Sequence, residues 1–134
     1  MENLMRIKPD KERARSLVKL AQLRFEKIKT FNEDTESSLI IEGFYEICKE
    51  LITSILFADG YKTLGHKELI EYVKEAYSQA LSQEDIQLLD QLRKLRNSIV
   101  YYGEMIDPSY IKRNKSYILD LINNLFNICE GKLK

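Results

Sequence analysis

The sequence predicts an all-α fold: an up-and-down bundle of four long helices and one short one. Three observations point there. Five glycines and two prolines, most of them at places where an element would end, leave long uninterrupted stretches. Within those stretches apolar residues recur at helical spacing, and no stretch has strand period. Finally, several stretches open on a capping residue and close on glycine, as helices do. At 134 residues the chain is most simply one domain, 1–134, able to bury a single core.

The first helix is expected from Asp10 or Lys11 to Lys29, with Leu17, Val18, Ala21, Phe25 and Ile28 on one face. Asn32 can cap the second, whose first turn would hold Glu33, Asp34 and Glu36 at the positive end of the macrodipole. That helix runs to about Ala58. Its apolar set from Ile40 to Leu56 covers most of the circumference and leaves a strip of Glu42, Glu46, Lys49, Glu50 and Thr53. Such a helix is central and packed on two sides. Gly60 ends it, and Tyr61–Gly65 is read as a loop. A short helix follows from His66 to about Tyr77. Ser82, three residues before Asp85, resembles a capping box opening the fourth helix, which runs to Val100 or Tyr102 and breaks at Gly103. Asp107-Pro108 starts the last helix, reaching about Cys129.

Charge excludes some function classes. With 21 basic and 21 acidic residues the net charge is zero, so any contact with a polyanion must come from a local patch. The first helix is basic and the second acidic, which fits antiparallel packing with charge pairing between them. The opening MENLMRIKPDKERAR has no apolar leader, and no apolar run approaches the roughly 20 residues a membrane span needs. No membrane contact is expected, and a cytoplasmic location is. Cys48 and Cys129 have no nearby Cys or His, so reduced, buried thiols are expected. No grouping has metal-ligand spacing, and there is no phosphate loop or nucleophile elbow. No metal or other cofactor is expected.

One residue breaks the pattern. On a helical wheel at about 100° per residue, Leu88, Leu92, Leu95 and Ile99 cluster, with Leu89 and Val100 flanking them on one side and Tyr102 on the other. Arg96 falls between Leu92 and Leu89, inside the apolar sector. An unpaired buried guanidinium costs several kcal/mol. Three placements answer that cost: an ion pair with an acidic residue of a neighbouring helix, a stem laid over apolar surface with its head in water, or a polar cleft that grips a phosphate.

The run RNSIV followed by two tyrosines and a glycine, late in the penultimate long helix, resembles the motif region of HEPN domains. The stretch from Ile47 through Gly60 to His66 and Val73 is similar to that family's second helix, loop and third-helix start. The family motif is an arginine, a polar residue, a few mostly apolar positions and a histidine. Arg96 matches the arginine and Asn97 the polar neighbour, while Tyr101 stands where the histidine belongs. Some members carry a tyrosine two positions after the histidine; here that position is Gly103, with Tyr102 one place early.

The resemblance implies a homodimer in which the motif residues of two protomers meet at a shared cleft. It also implies RNA, or a minimal nucleotidyltransferase in a toxin–antitoxin pair, as partner. Members that are active cleave RNA without a metal. It places His66 at a structural boundary, away from the motif.

Cleavage through the ribose 2′-hydroxyl needs a base, an acid and a cation near the phosphate. An unperturbed imidazole, with pKa about 6.5, suits the proton work, whereas a phenol near 10 stays protonated. The resemblance therefore makes Arg96 and Tyr101 a degenerate catalytic pair, and Arg96, Asn97 and Tyr102 are a candidate set for holding phosphate and stacking a base. The expected function is a dimeric RNA-binding or nucleotidyltransferase-partner protein with weak or absent ribonuclease activity. The alternative is a non-enzymatic interaction or scaffold module in which Arg96 is purely structural and Tyr101 and Tyr102 pack against the last helix. An active ribonuclease would need Tyr101 or another residue to replace the missing base.

Overall fold

The structure, a computed structural model, describes residues 4–134. Residues 1–3, part of the opening stretch read above as lacking an apolar leader, lie outside them. The elements in order are β1 (Leu4–Arg6), α1 (Lys11–Ile28), α2 (Ser37–Asp59), β2 (Tyr61–Thr63), α3 (His66–Ala76), α4 (Gln83–Tyr102) and α5 (Pro108–Lys132). Helices make up 74% of the described residues, so the class is all-α, with four long helices and one short one among them.

Local chemistry sets most boundaries. Asp10 accepts a hydrogen bond from the Arg13 amide and starts α1. Ser82 and Asp85 form the reciprocal capping box expected for α4. The Asp107 side chain accepts from the Ser109 amide, with Pro108 in the first helical position of α5. Gly60 and Gly103 end α2 and α4 in the left-handed conformation, at φ 90° and 66°. The last helix runs one turn past its expected end, to Lys132.

α2 is the central element, packed against α1, α5, α4 and α3. Ile41, Ile47, Cys48, Leu51 and Ile55 are fully buried and head a single hydrophobic cluster that α4 joins through Leu89 and Leu92, and α5 through Ile111, Ile118, Ile122 and Leu125. α1 lies antiparallel to α2 at close range. Ala14 and Ala21 are fully buried, the Ser54 hydroxyl donates to the Ala14 carbonyl at 2.8 Å, and a Cβ at Gly43 would collide with Ile28. Both cysteines are free and buried. Burial pushes each thiol up to about 12, which makes both unreactive. Among the described residues no helix is long and apolar enough to cross a membrane.

Three expectations are corrected. Asn32 does not cap α2: its side chain accepts from the Asp34 and Thr35 amides and closes an isolated turn, while Glu36 reaches back to the Asn32 amide. The helix starts five residues later at Ser37, where tertiary contacts hold it. The Ser37 hydroxyl donates to the Ile106 carbonyl, and the Ile106 amide donates to the Ser38 hydroxyl. Glu50 is buried, not part of a solvated strip, because Arg24 grips both its oxygens at 2.8–3.2 Å. That bidentate pair is the charge pairing expected between the first two helices. The acidic Glu33 and Asp34 turn instead to Lys115 and Lys112 of α5.

The third correction concerns Tyr61–Gly65. Its first three residues are a strand, paired antiparallel with Leu4–Arg6 in the register Leu4↔Thr63, Met5↔Lys62, Arg6↔Tyr61. The chain enters this ribbon beside Gly60, whose carbonyl accepts from the Ile7 amide at 2.9 Å. A Cβ at Gly60 would sit 3.0 Å from the Ile7 carbonyl oxygen and 3.1 Å from Pro9. Both the left-handed φ and this approach require glycine. Gly60→Ala is therefore expected to lower stability by about 1–2 kcal/mol, read as a reduced urea midpoint at unchanged slope.

Candidate functional site

The site forms where the C-terminal half of α4 crosses α2 and the start of α3. α2 contributes Tyr45, Glu46 and Lys49, and α4 contributes Arg93, Arg96 and Asn97, each set on one helical face. Only 14% of the Arg96 side chain is exposed. Its Nη2 lies 3.4 Å from Glu46 Oε1, and its Nη1 donates to Asn97 Oδ1 at 3.2 Å. The guanidinium carbon lies 5.9 Å from the centre of the Tyr45 ring and 5.8 Å from that of Tyr101. At that range a cation gains from the ring faces. The buried Nε has no hydrogen-bond partner. Of the three placements open to Arg96, the ion pair with a neighbouring helix is the one found, and it leaves the buried Nε–H unmet.

Glu46 is shared. It also pairs with Lys49 at 3.0 Å, so one carboxylate faces two cations. Arg93 is engaged with Asp90 on its own helix at 2.9 Å. With Arg93 and Asp90 included, three cations stand against two carboxylates, which leaves the cluster net positive within a chain of zero net charge.

His66, expected to stand apart from the motif, belongs to this cluster. Its Nδ1 lies 2.8 Å from the Tyr45 hydroxyl, with the two rings within 17° of parallel. Tyr45, itself buried, thus carries Arg96 against its ring and His66 on its hydroxyl. Burial and then the positive field of Lys49, Arg96 and Arg93 lower the His66 pKa below its ordinary 6.5, against a partial opposing effect of Glu46. Burial pushes the Tyr45 phenol above its usual range.

The end of α4 is uncovered. Tyr101 is 66% exposed and Tyr102 79%, and Val100 and Met105 are exposed beside them. Neither tyrosine is covered by the last helix to any large extent, and Val100 is exposed with them. The stripe is buried at Leu89 and Leu92, half-buried at Leu88, Leu95 and Ile99, and ends there. Asn97 is half-buried beside Arg96. The residues proposed from the sequence therefore divide: Arg96 and Asn97 sit in a semi-enclosed polar cluster, while Tyr101 and Tyr102 form an adjoining open surface. Sequence reasoning missed Tyr45, Glu46, Lys49 and His66. The available signal was a phenol assigned to the core, since a buried tyrosine hydroxyl usually finds a hydrogen-bond partner.

Fold and site together define an all-α bundle carrying a half-buried cationic cluster beside an exposed aromatic end. Comparison with protein-family models and with curated proteins yielded no match for this chain.

Proposed function

We propose that the chain is a HEPN-like domain that forms a homodimer through the exposed end of α4 and binds RNA, or a nucleotidyltransferase partner of toxin–antitoxin type, at a cleft containing Arg96 and Asn97. The observation that carries this reading is the mostly buried Arg96 guanidinium, with an Nε lacking a partner, close to the uncovered helix end of Val100, Tyr101, Tyr102 and Met105. Large aromatic and methionine side chains are the residue types enriched where proteins meet. The same phenol rings can stack unpaired bases. Metal-independent ribonuclease activity is weak or absent in this reading, because Tyr101 occupies the place of a proton-transfer histidine.

The test is binding of labelled RNA by wild type and Arg96→Ala, with sedimentation of both at micromolar concentration. A lost charge-assisted contact is expected to weaken binding by about tenfold or more. Identical binding and cleavage by the two proteins would remove the role of Arg96, and a strict monomer would remove the shared cleft.

A second reading is a non-enzymatic interaction module. The Arg96–Glu46 pair favours it, since an arginine matched by a neighbouring carboxylate needs no ligand to account for it. A dimer indifferent to Arg96→Ala and without RNA affinity identifies this case.

A further inference from the structure

The chain holds one histidine, and it lies in the Arg96 cluster without lying in the motif that drew attention to Arg96. Its chemistry follows from its partner. Tyr45 is buried, and His66 Nδ1 is the one hydrogen-bond partner its hydroxyl has among the described residues. A buried O–H donor left unmet is costly, so the hydroxyl donates and Nδ1 accepts. A neutral imidazole accepting at Nδ1 carries its hydrogen on Nε2. Nε2 has no partner among the described residues, and the residue is half-buried, not enclosed.

We propose that Tyr45 fixes His66 as a neutral Nε2–H donor, and that this donor and the Arg96 guanidinium together recognise a phosphodiester of single-stranded RNA. The proposal rests on the RNA-binding reading above and specifies its ligand contact. It gives the histidine a recognition role and denies it the proton-transfer role. Nδ1 is occupied by the phenol, Nε2 already bears a hydrogen, and protonating Nδ1 requires the Tyr45 hydroxyl to turn away. The charged groups facing the ring are Glu46 and Lys49 from α2 and Arg93 and Arg96 from α4. The three cations outweigh the one carboxylate and disfavour imidazolium formation. An entering phosphate adds negative charge to this net positive cluster and meets a donor that stays in one form near neutral pH.

Because there is a single histidine, its imidazole resonances are unambiguous. Nitrogen-15 NMR of the full chain between pH 6 and 8 is expected to show the Nε2–H tautomer. Adding inorganic phosphate or a uridine hexanucleotide is expected to shift those signals in wild type and not in Arg96→Ala. His66→Gln, whose amide N–H can stand near the place of Nε2–H, is expected to keep most of the hexanucleotide affinity, whereas His66→Ala loses about five- to tenfold. Tyr45→Phe keeps the ring on which Arg96 lies and removes the hydroxyl. In that variant His66 is expected to titrate closer to its ordinary 6.5, and hexanucleotide binding to become pH-dependent between pH 6 and 7.

The Nδ1–H tautomer in wild type overturns the proposal, as do imidazole signals that neither probe moves. Failure of the hexanucleotide to bind, with an Arg96-dependent shift by inorganic phosphate, rejects the RNA reading while upholding the shared anion contact. Hexanucleotide binding that leaves the imidazole unmoved upholds the RNA reading and rejects the role of His66.

Discussion

Asp59→Ala is expected to lower the unfolding free energy by about 3 kcal/mol at pH 7. Asp59 is the last residue of α2, and its side chain, only 10% exposed, collects two hydroxyl donors and one ion pair. The Tyr72 and Tyr77 hydroxyls donate to Oδ2 at 2.7 and 2.6 Å, and Lys132 lies 2.6 Å from Oδ1. One carboxylate thereby ties the end of the central helix to α3, to the residue that closes α3, and to the last turn of α5. Lys132 is 40% exposed, so its ion pair adds little. The larger loss comes from the phenols. Burial first, and then their bonds to the carboxylate, push both tyrosine pKa values far up, so they remain donors, and alanine leaves both without an acceptor. Asp59→Asn keeps an acceptor oxygen and is expected to lose less.

The pH dependence has a definite sign. Burial alone would raise the Asp59 pKa, but Lys132, Tyr77 and Tyr72 outweigh it and bring it below the ordinary 3.8. A carboxylate with a depressed folded value contributes its stability above the unfolded value and loses it as pH falls through the folded one. The gap between wild type and Asp59→Ala in urea unfolding is thus expected to be full at pH 7 and to shrink as pH falls below the ordinary carboxylate value. A gap that stays constant into acid would mean that the carboxylate charge is not what holds these elements together.

Most of the helical frame was legible because its boundaries are written locally. Asp10, the Ser82–Asp85 box, Gly60, Gly103 and Asp107-Pro108 each act within a few residues of their own position, and each does what its chemistry predicts. The misreadings are non-local. Asn32 has the chemistry of a cap, yet α2 starts where Ser37 and Ser38 meet Ile106, some seventy residues away. The strand at Tyr61–Thr63 is too short to show a period, and its partner, Leu4–Arg6, is separated from it along the chain by all of α1 and α2.

The candidate site shows the same division. A wheel placed Arg96 in the apolar sector correctly, because that needs only the angle per residue. It could not show that the core ends near Ile99, so the exposure of Val100, Tyr101 and Tyr102 was not visible. Nor could it show which carboxylate Arg96 meets, or that His66, thirty residues earlier, is joined to it through Tyr45. Those contacts depend on how α2, α3 and α4 pack, and neighbouring residues carry no trace of them.

The sharpest division between the two functional readings comes from Glu46. Glu46→Ala is expected to cost about 2–3 kcal/mol of stability, because it leaves the mostly buried Arg96 with Asn97 and two aromatic rings in place of a carboxylate. Arg96→Met alone leaves Glu46 with Lys49, so it is expected to cost less. The double variant, which buries no unmatched guanidinium, is expected to be more stable than Glu46→Ala, giving a coupling of about 1–2 kcal/mol in a double-mutant cycle. Coupling within error of zero would reject the ion pair itself. On the ligand-binding reading the same substitution acts oppositely on anion binding. Glu46 occupies the guanidinium face that a phosphate would take, and removing it leaves Lys49, Arg93 and Arg96 opposed by Asp90 alone. If Arg96 serves a ligand, Glu46→Ala binds labelled RNA several-fold more tightly despite its lower stability, with a steeper salt dependence. If Arg96 serves only the fold, the variant loses stability and gains nothing.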